Sequence, residues 1–182
     1  MVISEDLMSW TAEHSHFEPK RNYISMSHIA DDVDTIVRKF REGYGDQDNV
    51  AGRLRCYKGY QMEADLLRRL IAVYGAQRVH THIELIAHTG LVQGHPDFRI
   101  DGVLGDCKSV LRDDWIPKSG NLPRRVYWQM QGYMLLDQTP RCVVIYESRE
   151  SGKIKDHWIN ANAAIQSDIT AKLDHVINTL MR

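Results

Sequence analysis

The segment GHPDFRIDGVLGDCKS, residues 94–109, carries the reading of this chain. Asp101-Gly102 stands between two strand-like runs, the pattern of a two-residue hairpin. That turn sets the register: Ile100 faces Val103, Phe98 faces Gly105, and Asp97 faces Asp106. Directly opposed residues have Cβ atoms roughly 4.5–5.5 Å apart, so two carboxylates meet. They raise each other's pKa unless a cation sits between them. Lys108, two residues past Asp106, points to the same face. Phe98, Ile100, Val103 and Cys107 alternate onto the other face and suit a core. The polar face has two readings. One is a solvated surface with a salt bridge. The other is a site for a hard divalent cation on carboxylate oxygens, with Lys108 orienting a bound water or stabilising developing charge.

Outward from the hairpin, helical and strand-like spacings alternate. A short N-terminal helix and an irregular lead-in are expected over 1–22. Ser27 is the expected N-cap of a helix carrying Ile29, Val33, Ile36, Val37 and Phe40, closed by Gly43 and Gly45. A second helix is expected over 50–74, stopped by Gly75, with Met62, Leu66, Leu67, Leu70, Ile71 and Tyr74 as its buried stripe. Strand-like segments follow at 78–87, 91–100 and 103–110. A helix is expected over 124–136, then strands at 142–147 and 154–159. Asn160 is the expected cap of a last helix burying Ile165, Ile169, Leu173, Val176, Ile177 and Leu180. This order predicts an α/β fold, a central mixed β-sheet flanked by helices.

The chain has 182 residues, with 23 Lys+Arg against 24 Asp+Glu. That length suits one domain, 1–182. The near-neutral charge excludes a wholesale polycation but leaves room for a local basic groove. No apolar run approaches the roughly 20 residues of a membrane span, and the first ten residues lack the basic region of a signal peptide. Cys56, Cys107 and Cys142 lie far apart without a Cys-x-x-Cys pair. A reduced, cytoplasmic setting is expected.

Further residues add to the hairpin. Glu63 falls inside the stripe of the second helix, where a carboxylate is costly unless paired or bound to metal. The plainer reading puts it at the stripe's edge, reaching water. Gly59, one turn earlier, would let another backbone approach closely. Gln129 and Tyr133, four apart, share a helical face. His80 and His82 alternate on a strand, and without a matched Cys/His set they are expected as surface histidines. His95 would face Lys108 in the hairpin register and reach phosphate or support the metal shell. Arg112, Lys118, Arg124 and Arg125 surround the loop before the 124–136 helix and could contact phosphates, with Arg112 and Arg124 foremost. Arg53, Arg55 and Lys58 form another basic strip. Tyr127 and Trp128 suit either stacking on an unpaired base or ordinary packing.

Pro96-Asp97 followed by Asp106-Cys107-Lys108 resembles the signature of the PD-(D/E)XK nuclease superfamily. Glu63 on the preceding helix, and Gln129 and Tyr133 on the following one, are similar to further motifs of its RecB-like and lambda-exonuclease-like (YqaJ) members. The resemblance implies a restriction-endonuclease-like core and a DNA exonuclease dependent on Mg²⁺ or Mn²⁺. It implies Glu63, Asp97, Asp106 and the Cys107 backbone carbonyl as metal ligands. Lys108 is then catalytic with the three acids, and Gln129 and Tyr133 position the strand. Some CRISPR-associated relatives carry an iron–sulfur cluster on one early and three late cysteines. No cysteine follows Cys142, so no cluster is expected here. DNA is the expected partner, with recombination or replication proteins and a homo-oligomer left open, in a bacterial, archaeal or phage setting. The competing reading is an inactive nucleic-acid-binding or assembly protein on the same fold.

Overall fold

The computed structural model describes residues 22–43 and 50–182, with the backbone alone for 50–56. The expected N-terminal helix and lead-in as far as residue 21, the Gly45 stop, and the side chains of Arg53, Arg55 and Cys56 lie outside the described residues. In chain order the elements are β1 (Ile24–Ser25), α1 (Val33–Glu42), α2 (Val50–Tyr74), β2 (Val79–Thr81), β3 (Leu85–Ala87), β4 (Val92–Gly94), β5 (Phe98–Ile100), β6 (Val103–Val110), α3 (Arg124–Asp137), β7 (Arg141–Ser148), β8 (Ile154–Asn160) and α4 (Ala163–Leu180). Strands β2-β5-β6-β7-β8 form the main sheet, in which β6 and β7 are parallel and the other neighbours antiparallel. Strands β1-β4-β3 form a smaller sheet.

The hairpin adopts the expected register, Ile100↔Val103 and Phe98↔Gly105. Asp101 and Gly102 both take positive φ, 49° and 83°, as a type I′ turn requires. Gly105 is demanded by its cross-strand partner: a Cβ there would lie 2.0 Å from the Phe98 ring.

The two hairpin faces are not divided as expected. Leu104 shares a face with Asp106 and is fully buried in the main core, beside Cys142 and Val144. That face is covered by α3, α1 and α4, through Met130, Tyr133, Met134, Ile36, Ile169 and Leu173. The face carrying Phe98, Ile100, Val103 and Cys107 turns toward α2, which covers it incompletely. Leu66 is buried there, but Met62, Leu67, Leu70 and Ile71 are half-buried and Tyr74 reaches solvent. The predicted α2 stripe is therefore half-buried, and it borders an apolar groove of about 710 Å³ with Phe98, Val143 and Trp158.

Three local expectations are corrected. Asp32, not Ser27, caps α1, accepting from the Thr35 N–H at 2.8 Å. Ser25 and a 3-10 turn, Met26–His28, precede it. Asn162, not Asn160, caps α4, because Asn160 still pairs in β8. The segments 78–87 and 91–100 each break into two short strands. The breaks lie at His82, with φ 57°, and at His95-Pro96, where proline has no N–H for a ladder. Among the described residues no helix is long and apolar enough to cross a membrane.

Candidate active site

The site arises because β6 outruns its neighbour. Strand β5 has three residues and β6 has eight, so pairing stops at Phe98↔Gly105. Asp106 to Val110 continue without β5, held on the other side by β7. The Asp97 carboxylate takes over where β5 ends, and its Oδ2 accepts from the Cys107 N–H at 2.6 Å. In a strand the N–H and C=O of one residue point to the same edge. The Cys107 carbonyl is thus directed at the open edge too.

A cleft of about 620 Å³ opens there. Glu63, Asp97, Asp106, Cys107, Lys108, Gln129, Tyr133 and His95 all line it. Asp106 is only 2% exposed and forms an ion pair with Lys108. Its buried Oδ2 accepts no hydrogen bond of good geometry. Burial raises the Asp97 pKa well above the usual carboxylate range, and the charges of Asp106 and Glu63 raise it further. Burial and then Asp106 raise Glu63 also, while Lys108 and His82 draw it back. Burial opposes the charge on Lys108, but Asp106 and Asp97 more than offset this and raise its pKa. Lys108 is therefore protonated at neutral pH.

These residues fit a hard divalent cation in kind. Three carboxylates and a backbone carbonyl are oxygen donors, and the acids repel one another although the Cys107 amide donates to Asp97 and Lys108 pairs with Asp106. The set is not closed into a finished cage. Among the described residues no group of three His, Cys, Asp or Glu side chains stands ready around one point. A bound ion would compete with Lys108 for Asp106.

Helix α3 supplies the cleft's back wall. Gln129 and Tyr133 are both buried, and the Gln129 Nε2 donates to the Tyr133 hydroxyl at 2.7 Å. That hydroxyl donates to the His95 carbonyl at 3.1 Å. The ring of Tyr133 packs on Gly94, where a Cβ would approach it to 2.9 Å. The pair thus clamps the loop that delivers Asp97.

Other expected residues lie differently. The hairpin ladder does not reach His95. Its ring lies 5.5 Å from that of Tyr23, and its Nε2 is 3.9 Å from Glu84. Arg112 is not among the cleft residues, and its guanidinium is bound to exposed Asp114 at 3.0 and 3.2 Å. Arg124 lines a different cleft. Gly59 admits no close approach, since a Cβ there would meet nothing within 4 Å. Cys107 is half-buried and Cys142 is buried. Burial and the neighbouring acids push both thiols up, Cys142 to about 12.

Sequence reading does not bring Ser25, Ser27 or Glu84 to the cleft wall, which His82, a surface histidine as expected, also lines. The two serine hydroxyls lie 2.8 Å apart and can donate to an anion. In the sequence Ser27 reads only as a helix N-cap, and Ser25 gives no signal.

No family model matches this sequence, and no curated protein does. Solved structures match at the level of fold. The alkaline exonuclease LHK-Exo from Laribacter hongkongensis superposes with a TM-score of 0.67 at 16% identity, over 95% of this chain and 92% of that one. The protein SSO0001 gives 0.65 at 15% identity, over 98% and 87%. A phage-related exonuclease from Haemophilus somnus 129PT gives 0.57 at 12% identity, over 85% and 91%. The chain thus has an α/β nuclease-like core, with mixed sheets flanked by helices. It shares that core with exonucleases, one of them also solved in complex with dAMP.

Proposed function

We propose that this chain is a divalent-metal-dependent nuclease that hydrolyses phosphodiester bonds in DNA, acting from ends in recombination, repair or end processing. One observation carries the reading: Asp97, Asp106 and Lys108 converge at the open edge of β6, in a cleft that Glu63 also lines. The exonucleases that share the fold support it. A degenerate binding protein would have little need for three buried or half-buried acids kept together at such electrostatic cost.

Glu63, Asp97, Asp106 and the Cys107 carbonyl would hold Mg²⁺ or Mn²⁺. When bound, the ion lowers the pKa of water and neutralises charge on the phosphate. Lys108 stays protonated, so it acts as a donor: it orients the water and stabilises charge on the phosphoryl oxygens. Asp97, fixed by the Cys107 amide, keeps the carboxylates in register. Gln129 and Tyr133 hold the His95–Asp97 loop and shape the wall against which the strand rests. Ser25 and Ser27 offer hydroxyls to the phosphate.

End-labelled linear DNA and closed circular DNA, incubated with Mg²⁺, Mn²⁺ or EDTA, test this. Metal-dependent digestion of the linear form alone is expected. Asp106→Asn and Lys108→Ala should each lower the rate roughly 100-fold or more. Cleavage unchanged in both variants would overturn the reading.

A further inference from the structure

Strand β8 closes the main sheet, and among the described residues no strand pairs with its outer edge. Its register with β7 is unbroken over seven residues, with no bulge and no proline to guard it. The bonds at either end say which backbone groups face outward. The Ser148 N–H donates to the Lys153 carbonyl at 2.9 Å, and the Ala161 N–H donates to the Pro140 carbonyl at 2.8 Å. Both bonds continue the ladder in which Glu147 pairs with Ile154 and Arg141 with Asn160. Bonded and non-bonded pairs alternate along an antiparallel ladder. Lys155, His157 and Ile159 therefore bond to β7, whereas Ile154, Asp156 and Trp158 turn their N–H and C=O to the open edge. Among the described residues no main-chain group meets them there. The next outward carbonyl, that of Asn160, accepts from the Gln131 Nε2 at 2.9 Å, which ends the open stretch.

A cleft of about 740 Å³ runs along this edge. Every residue from 156 to 162 lines it, although His157 and Trp158 point to opposite sheet faces. Side chains that alternate across a strand share one cleft only at the strand's edge. Ser119, Gly120, Leu122 and the first turns of α3 form the facing wall. The two flanks of the edge differ. On the α3 flank the Arg124 guanidinium lies 4.9 Å from the Trp128 ring, and the Lys172 ammonium lies 4.7 Å from the same ring. The one acid among the lining residues, Asp156, is turned to the opposite flank, where it accepts the Trp158 Nε1–H at 2.9 Å. That opposite flank is apolar: Ile154 is 48% exposed and Trp158 57%.

We propose that an extended, acidic segment of a partner protein adds to the main sheet in this cleft, as a strand beside β8. Its main chain bonds the outward N–H and C=O groups of Ile154, Asp156 and Trp158. Its residues opposite Lys155 and His157 carry carboxylates toward Arg124 and Lys172. The alternate residues are apolar and cover Ile154 and Trp158. The row of backbone donors and acceptors selects a peptide, because a nucleic-acid strand has no main-chain N–H groups to answer it. The proposal goes beyond the nuclease reading and does not rest on it.

The test titrates the isotope-labelled full chain, to millimolar concentration, with an end-blocked heptapeptide of alternating valine and glutamate. Amide resonances report binding, and hydrogen exchange reports which amides become protected. Exchange should slow roughly tenfold or more at Ile154, Asp156 and Trp158, and stay unchanged at Lys155, His157 and Ile159, which β7 already holds. The same peptide with lysine for glutamate should bind roughly tenfold more weakly, and Arg124→Ala should weaken the acidic peptide roughly threefold. Asp156→Pro removes an outward N–H while sparing the β7 ladder, so it should fold and bind roughly tenfold more weakly. Its rate of DNA cleavage should match wild type. A thermal melt establishes that this variant is folded. With the unaltered protein, peptides methylated on one or the other alternate set of main-chain nitrogens make the same distinction: one set should abolish binding and the other spare it. Unmoved resonances, protection at other amides, or equal binding of both methylated peptides overturns the proposal. So does the same protection produced by raising the protein concentration alone, which assigns the edge to a second copy, or by oligothymidylate, which assigns it to DNA.

Discussion

Gly105 has no side chain, and Phe98 lies across the space one would fill. Gly105→Ala should therefore destabilise the protein by about 1–3 kcal/mol through overpacking, seen as a lower urea midpoint with an unchanged slope. Tyr133 holds the His95 carbonyl on one side and the Gln129 amide on the other. Tyr133→Phe leaves both without their partner, at a cost of about 1–3 kcal/mol. Because it loosens the loop carrying Asp97, it should slow DNA cleavage more than it weakens DNA binding, measured side by side. At this scale the sequence was most legible where chemistry is local. Asp97, Asp106 and Lys108 are tied together by one two-residue turn, so their meeting could be read directly. Ser25, Ser27 and Glu84 come from distant segments, and nothing in their neighbours announces the cleft they share.

Among the elements, the start of the fold is held by His28. Its Nδ1 accepts from Lys39 of α1 at 3.0 Å and from Arg125 of α3 at 2.8 Å, and Lys39 also reaches Asp31 at 2.7 Å. Burial lowers the His28 pKa to about 4, and Lys39 and Arg125 contribute to the shift. The unfolded chain takes up this proton near pH 6.5, whereas the folded chain resists until about pH 4. Stability from this group is thus complete above pH 6.5 and falls as pH drops toward 4, by up to about 3 kcal/mol. Denaturant unfolding from pH 7 to pH 4 should show that loss, and His28→Asn should reduce it. Helices α2 and α3 were legible almost to the residue, whereas α1 and α4 begin past their expected caps. Short strands were not legible. Pro96 and the positive φ at His82 interrupt what alternation alone reads as continuous.

For the molecule as a whole, alternation along β6 defines two faces but not which one the helices cover. Leu104, on the face with Asp106, was the clue: it is fully buried, and Asp106 lies in the main core with it. The acids are therefore groups that the fold tolerates rather than welcomes. A divalent ion binding the folded state alone should raise the melting temperature by roughly 5–10 °C at one hundred times its dissociation constant. Calorimetry with and without Mg²⁺ at pH 8 measures this, and Asp106→Asn should abolish most of the shift. Arg112 marks the limit of composition-based reading. A basic residue near the site in sequence is bound to its local neighbour Asp114 instead.

The bond from the Cys107 amide to Asp97 makes one backbone proton sensitive to events in the cleft. A carboxylate has two oxygens, and here one is already committed to the main chain. A cation drawing on the other withdraws electron density from the first and weakens its grip on the amide. The nitrogen resonance of Cys107, and the rate at which its hydrogen trades with solvent deuterium, should then register occupancy of the site directly, with no DNA present and no turnover.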